Sequence, residues 1–473
     1  MQVLLQLMDA GGEVVTREEL FAHCWNGIFV GDDSLNRAIF ELRRALRGAG
    51  ASVTIETIPK TGYRLVGLPL SHQSESEEPT TATVALSRRV LIGGAASVAA
   101  AGGAGLLTWR NIPSARERKA ADLVERADII RRDDLDDSAE RSSGLYRAAL
   151  KLTPDDASIW GKLALALQEI AEYGPPEQTA KAVMATEVAA RHALELQAAQ
   201  ADARVALTML PPHFGKWLPV ERALRGILAD APENIAAQKH LGVVLMEVGC
   251  VTLGAAVIDR LVESEPLSPD LQYRHVYQLW ARGRVRDADQ VADKSLQLWP
   301  HHSSVWLARM WLFALTGRPA AALAMIANKA GLPEFPPPMV DLLRLCCTAL
   351  ATRSSRDIGA AVDANIQAAQ QGPFGVVSST LTLPQLGAAD VALQVNRGYL
   401  LREGPFVGML SRPAGQPAVS QQSRRKTMAL WMPSSGPMRA LPGFLPLCAA
   451  TGMADYWRQS GQWPDFLHNR LPA

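Results

Sequence analysis

The sequence predicts a mainly α-helical chain in three parts. These are an N-terminal module of three helices and a β-hairpin, a single transmembrane helix, and a long C-terminal solenoid of paired helices. Three observations carry this reading. Residues 1–66 pass from helical periodicity to strand alternation within one short stretch; residues 90–107 contain no charge; and the amphipathic chain beyond about residue 115 is punctuated by helix breakers at one fixed interval. At 473 residues the chain is long enough for two or three domains. Its 48% hydrophobic content and net charge of +1 exclude overall disorder. One uncharged run excludes a polytopic membrane protein, and the near-zero charge excludes a uniformly basic nucleic-acid binder. Five cysteines with no CxxC spacing exclude a disulfide scaffold or a zinc ribbon.

Met1 to Met8 reads as a short apolar helix that stops at Asp9-Ala10-Gly11-Gly12. Thr16-Arg17-Glu18-Glu19 is a capping-box pattern that opens a second helix running to about Trp25. Asp32-Asp33-Ser34 opens a third, whose apolar positions Leu35, Ile39, Leu42 and Leu46 form one buried stripe. Asn36, Arg37, Glu41, Arg43, Arg44 and Arg47 occupy its other faces. Residues 53–58 and 63–66 then alternate like strands around the turn Pro59-Lys60-Thr61-Gly62. Three helices followed by a hairpin is the order of a winged helix, with the third helix placed for the major groove and the hairpin tip as the wing.

Residues 67–89 are rich in Ser, Thr, Pro and Glu and read as a flexible linker. The segment 90–109 is expected to span a membrane. As a helix its uncharged run is about 27 Å long, close to a hydrocarbon core of about 30 Å. Arg88 and Arg89 supply a basic anchor on one side and Trp109 an interfacial aromatic on the other. Ser87-Arg88-Arg89-Val90-Leu91-Ile92 also resembles a twin-arginine export signal set inside the chain. Either route gives a single-pass protein of the bacterial inner membrane, with the N-terminal module cytoplasmic and the C-terminal part periplasmic.

In the C-terminal part the repeat length is 34. Pro232, Pro266 and Pro300 keep that interval, and so do Gly215, Gly249, Gly283 and Gly317. Gly between paired helices and Pro after the second give helix–turn–helix units that bury their apolar faces only by stacking. These units resemble the tetratricopeptide repeat (TPR). Leu241, Gly242, Leu245, Gly249 and Pro266 stand in its signature places, as do Trp306 with Gly317 and Trp160 with Leu163. The unit at 157–200 is about ten residues too long, with an insertion expected near residues 173–183. The repeats are assigned to 115–336, and 337–473 to a helical extension. The resemblance implies a protein or peptide ligand on the TPR-like surface.

The N-terminal residues carry a more specific resemblance. Val14-Val15-Thr16-Arg17-Glu18-Glu19-Leu20, Trp25, Asp33-Ser34-Leu35, Glu41 to Leu46 and Thr57 to Arg64 are similar to the OmpR/PhoB-type winged helix. This implies promoter DNA as a partner and contact with RNA polymerase. Matched residue by residue, Asn36, Arg37, Glu41 and Arg44 face the groove, Arg43 and Arg47 lie nearer phosphates, and Lys60 and Thr61 sit at the wing tip with Tyr63 and Arg64 beside them. The family opens with a small β-sheet before its first helix, which this sequence lacks. No receiver domain precedes the module, so control by Asp phosphorylation is not expected. With the predicted membrane span and an outer domain, the whole resembles ToxR/CadC-like membrane-bound regulators, in which a homodimer could couple the two sides.

Charge supports a local reader of DNA. Residues 1–66 hold seven Lys/Arg against eight Asp/Glu, yet six of the seven lie on the third helix and hairpin. No phosphate loop, HExxH or GxSxG string is present, so neither an enzyme nor a cofactor is expected. The acidic run Asp133-Asp134-Leu135-Asp136-Asp137 reads as a solvated turn, and His301-His302 as an inter-repeat turn. The expected function is a membrane-anchored transcriptional regulator with an outer sensor or interaction domain. The alternative is a TPR-type interaction scaffold whose winged helix has degenerated.

Overall fold

Apolar stripes, glycine turns and helix caps fold the chain into two units, residues 1–110 and 111–473. The computed structural model describes residues 2–24, 35, 39, 42–43, 46, 53–58, 61–67, 114–174, 176–211, 213–408 and 427–467.

In the first unit, α1 (Gln2–Asp9) and α2 (Arg17–Cys24) precede a helical stretch described at Leu35, Ile39, Leu42, Arg43 and Leu46. The capping box forms as its sequence requires. Glu19 N–H donates to Thr16 Oγ1 at 3.2 Å, and Thr16 N–H donates to Glu19 Oε2 at 2.8 Å. Val3, Leu7, Leu20, Leu35 and Ile39 are buried together with Ile55, Tyr63 and Leu65 of the sheet.

That sheet differs from the expected hairpin. Strands β2 (Thr54–Ile58) and β3 (Gly62–Val66) do pair antiparallel, but β1 (Val15–Thr16) pairs with the other edge of β3, giving the order β1-β3-β2. A strand of two residues has no periodicity to read, so only its partner reveals it. Gly62, read in the sequence as a turn residue, lies opposite Thr16. A Cβ there would stand 2.0 Å from Val15 O, so glycine is what allows the third strand to close in.

The second unit opens with α3 (Ala115–Asp133) and α4 (Ser138–Leu150), followed by α5 (Ala157–Tyr173) and α6 (Pro176–Leu196). Four further pairs come next: α7 (Ala201–Thr208) with α8 (Trp217–Asp230), α9 (Ile235–Glu247) with α10 (Val251–Ser264), α11 (Pro269–Ala281) with α12 (Val285–Leu298), and α13 (Ser303–Leu315) with α14 (Pro319–Ala327). Their first helices begin at 201, 235, 269 and 303 and their second at 217, 251, 285 and 319, so the 34-residue interval is structural. Gly215, Gly249, Gly283 and Gly317 each sit in the turn within a pair, with φ between +75° and +86°. A third comb governs the helix starts. Gln200, Asn234, Ser268 and His302 all cap first helices, each side chain accepting from the N–H three residues on. The surplus length of the unit at 157–200, expected near residues 173–183, is helical. It lies in the helices, since α5 has 17 residues and α6 has 21, against 13 and 14 in the pair α9/α10.

Beyond the repeats come α15 (Pro337–Thr352), α16 (Ser355–Gln371), α17 (Pro373–Thr382) and α18 (Ala389–Leu400). The prolines at 336–338 supply the cap and first turn of α15. Residues 427–467 then fold back across the middle of the stack. The indole N–H groups of Trp431 and Trp457 donate to the carbonyls of Glu247 and Val248 at 2.9 and 2.7 Å, and that of Trp217 donates to Thr451 O at 2.9 Å. Asp465 accepts from the N–H and hydroxyl of Thr252 at the start of α10. Cys250, Cys346, Cys347 and Cys448 are buried free thiols. Burial pushes Cys250 and Cys448 up to about 12.

The expected membrane span is corrected. Among the described residues no helix is long and apolar enough to cross a membrane, which overturns the reading of a single-pass inner-membrane protein with a periplasmic C-terminal domain. The run at 90–109 itself lies outside the described residues. Its composition gives the physical reason for the misjudgement. Only six of residues 90–107 are Val, Leu or Ile, and the rest are Ala, Gly and one Ser, which contribute little to transfer into hydrocarbon and, for Gly, disfavour helix. The longest described helices, α3 and α6, are interrupted by charges along their length.

Candidate nucleic-acid interface

In the first unit the third helical stretch lies against the sheet through Leu35 and Ile39, with Leu42 and Leu46 half-buried at the edge of the same core. Arg43 is the polar link between the two. Its Nε donates to Ile55 O at 3.0 Å and its Nη2 to Thr57 Oγ1 at 2.6 Å, both on β2. The guanidinium fork thus ties the helix to the strand beneath it, where a lysine could not reach both acceptors.

On the hairpin, alternation decides which side chains turn inward. Tyr63 is 3% exposed, in the core with Leu65, and its hydroxyl accepts from Arg17 Nη1 at 3.0 Å. The Arg17 guanidinium also stands 5.6 Å from the Tyr63 ring centre. Arg64 points outward and pairs with Glu56 across the β2–β3 ladder at 2.7 Å, with both side chains substantially exposed. Such a pair contributes little to stability and can exchange for another anion. Thr61 is exposed in the turn, and its carbonyl accepts from Arg17 N–H at 3.2 Å. The structure therefore gathers Arg43, Thr61, Tyr63 and Arg64 around one sheet, with Tyr63 internal. Asn36, Arg37, Glu41, Arg44, Arg47 and Lys60 lie outside the described residues. The signal for Tyr63 was present in the sequence, because it shares a strand face with Leu65.

In the second unit a charged set runs along the first helices of the pairs. Arg131 of α3 pairs with Glu169 of α5 at 2.9 Å, while Asp270 of α11 takes Arg274 at 2.7 Å and Lys239 of α9 at 3.2 Å. Burial opposes the Asp270 charge, but Arg274 and Lys239 outweigh it and hold the carboxyl well below its usual range. Asp134 shows the opposite balance: burial, then the neighbouring Asp270, raise its carboxyl to about 7. It ends α3 with φ +50°, a left-handed conformation uncommon outside glycine.

The acidic run is therefore a turn between α3 and α4, in which Asp137 pairs with Arg141. Its neighbour is His302, whose Nε2 lies 3.1 Å from Asp133 O while its Nδ1 accepts the capping bond from Val305 N–H. These bonds require the neutral tautomer with hydrogen on Nε2, and burial correspondingly lowers its pKa. Among the described residues no group of three His, Cys, Asp or Glu is placed to hold a metal.

Residues 1–65 match the family Trans_reg_C, described as "Transcriptional regulatory protein, C terminal". Transcriptional regulator HilA of Salmonella typhimurium and that of Salmonella paratyphi A are each 34% identical over 84 residues, covering 18% of this chain and 15% of theirs. The chain thus spans about 15% of the length of these relatives. Solved structures similar to the chain include a tetratricopeptide repeat protein from Parabacteroides merdae, at 15% identity and a TM-score of 0.34 over 53% of this chain and 92% of that one. Yeast Tom70 is 13% identical, with a TM-score of 0.33 over 66% of this chain and 62% of its own.

Proposed function

We propose, with the N-terminal 65 residues an OmpR/PhoB-type winged helix and the C-terminal unit a TPR-like stack, that the chain is a transcriptional regulator without a catalytic step of its own. The first unit binds promoter DNA; the second receives a protein or peptide whose binding sets promoter occupancy. The observation that carries this reading is the family match over residues 1–65, on a unit whose three-stranded sheet shares one core with Leu35 and Ile39.

Roles within the interface follow from residue type and place. Asn36, Arg37, Glu41 and Arg44 read bases, Arg47 and Lys60 reach phosphates, and Thr61 sits at the wing tip. Arg43 and Arg64 serve the geometry first, since both already hold partners on β2. RNA polymerase is the expected second contact of this unit. The charged first-helix face around Lys239, Asp270 and Arg274 is the proposed seat of the peptide partner, and a homodimer on DNA would follow from paired half-sites.

The test is titration of the full chain with promoter fragments at several salt concentrations. Sequence-specific affinity that falls steeply with salt and collapses in Arg37→Ala and Arg44→Ala supports the regulator. The internal engagement of Arg43 and Arg64 favours a second reading, a scaffold with a degenerate winged helix. Weak, sequence-independent binding that neither substitution alters would establish that reading instead.

A further inference from the structure

Stacked repeats ordinarily touch only their neighbours, yet the start of this stack meets its fifth and sixth pairs. Helix α3, of the first pair, packs against α11, of the fifth. The turn after α3 reaches the start of α13, of the sixth, where His302 Nε2 donates to Asp133 O at 3.1 Å across 169 positions of chain. The first-helix face lies behind this joint. Tyr173, at the end of α5, is 52% exposed, yet it stands close enough to Arg274 and Asp270 of α11 to feel their charges. First helices three pairs apart thus face one another across a space that water still enters.

Asp134 is the charge at the joint. It ends α3 at φ +50°, half-buried, and its carboxyl has no hydrogen bond or ion pair among the described residues. Asp270, Tyr273 and Arg274 of α11, Lys239 of α9 and Glu169 of α5 face it. Asp133 and Asp136 flank it on its own turn, and His302 beyond the joint is neutral. Arg274 and Lys239 are already committed to Asp270, at 2.7 and 3.2 Å. A charge on Asp134 is therefore opposed first by burial and then by the Asp270 carboxylate. Moving the turn out into water removes both costs, whereas a protonated Asp134 gains nothing by leaving.

We propose that the joint of the α3–α4 turn with α11 and α13 is a clasp over the first-helix face, closed while Asp134 holds its proton and opened when it ionises. With the clasp closed the carboxyl is raised to about 7, and in water it returns toward about 3.9. Closure is thus fully supported below about 3.9, and that support is lost as pH rises through about 7. The clasp takes its purpose from the partner seat proposed above for this face. Its test contains no partner, so failure of either reading leaves the other standing.

The test measures the distance between spin labels on Leu135→Cys and His301→Cys, exposed positions on the two sides of the joint, in the full chain carrying Cys24→Ser. The other cysteines are buried. The ratio of longer to shorter distances should rise about fourfold between pH 6.5 and pH 8. Asp134→Asn keeps the shape and tolerates the left-handed backbone, and it should hold the shorter distance at both pH values. Asp136→Asn removes an exposed acid from the same turn and should leave the response intact. An unchanged ratio in the chain that keeps Asp134, a rise that persists in Asp134→Asn, or one abolished equally by Asp136→Asn would overturn the inference.

Discussion

Arg43 offers the sharpest separation of a structural from a DNA-contacting role, because the two predict different salt dependence. Arg43→Ala removes the bonds to Ile55 O and Thr57 Oγ1. A hydrogen bond from a charged donor contributes about 1.5–3 kcal/mol when buried, and partial exposure here reduces the sum for both to about 1–2 kcal/mol. In a unit of this size a loss of 1 kcal/mol lowers the melting temperature by about 4–8 °C. Promoter affinity should fall about tenfold as the helix loses its anchor on β2. The slope of log affinity against log salt should nevertheless match the unsubstituted chain, whereas removing a phosphate contact lowers that slope by about 0.9. The assay is fluorescence anisotropy with promoter DNA at four or so salt concentrations, beside a thermal melt of the first unit. A slope reduced by about one, with the melt unchanged, would refute the structural role and return Arg43 to the phosphate-facing set.

Four further outcomes are expected. Gly62→Ala should destabilise the first unit by more than about 1–3 kcal/mol and reduce DNA affinity, because its Cβ would fall 2.0 Å from Val15 O; the melt of that unit checks it. Gly283→Ala should cost about 1–2 kcal/mol for its positive φ alone, and Gly249→Ala distinctly more, because its Cβ would also meet Pro464 at 2.7 Å; urea midpoints compare the two. Asn234→Ala should cost about 1 kcal/mol through loss of a helix cap, read from the same urea curves. The Asp134 pKa, raised in the folded chain, makes its contribution fully present below the unfolded value of about 3.9 and lost as pH rises through about 7. Asp134→Asn should therefore stabilise the chain more at pH 8 than at pH 5 in denaturant titrations.

The repeats were legible because glycine and proline act locally: a residue at φ near +80° or one without an N–H marks a turn whatever surrounds it. The capping comb at 200, 234, 268 and 302 escaped notice because its residue types differ, Gln, Asn, Ser and His, while only the shared acceptor role repeats. The strand at Val15–Thr16 depends on pairing with residues about 48 positions away, which no local window contains. The surplus of the unit at 157–200 was legible as length alone, not as longer α5 and α6, because a helix gains whole turns without new punctuation. The membrane span failed for a related reason: freedom from charge was treated as hydrophobicity, although Ala and Gly supply little of it. In the interface the stripe from Leu35 to Leu46 placed the helix correctly against its core, but nothing local signals that the Arg43 fork is already committed to β2.

Stacked repeats normally unfold piecemeal, each losing contact only with its neighbours, so that terminal units fray before central ones. The return of residues 427–467 removes that freedom. Trp431, Trp457 and Asp465 hold backbone of the one unit at 235–268 across about 200 positions of chain, and Trp217 of the preceding unit donates to Thr451 O. The middle of the stack is thereby closed only by a segment made about 200 residues later. Until then the Glu247 and Val248 carbonyls lack their indole donors, and the chain remains a set of separable pairs. Contacts of such long sequence separation slow folding while coupling centre and end into one cooperative body. A nascent or clipped chain ending before residue 427 would thus lose stability at α9 and α10, far from the cut, rather than at its new end.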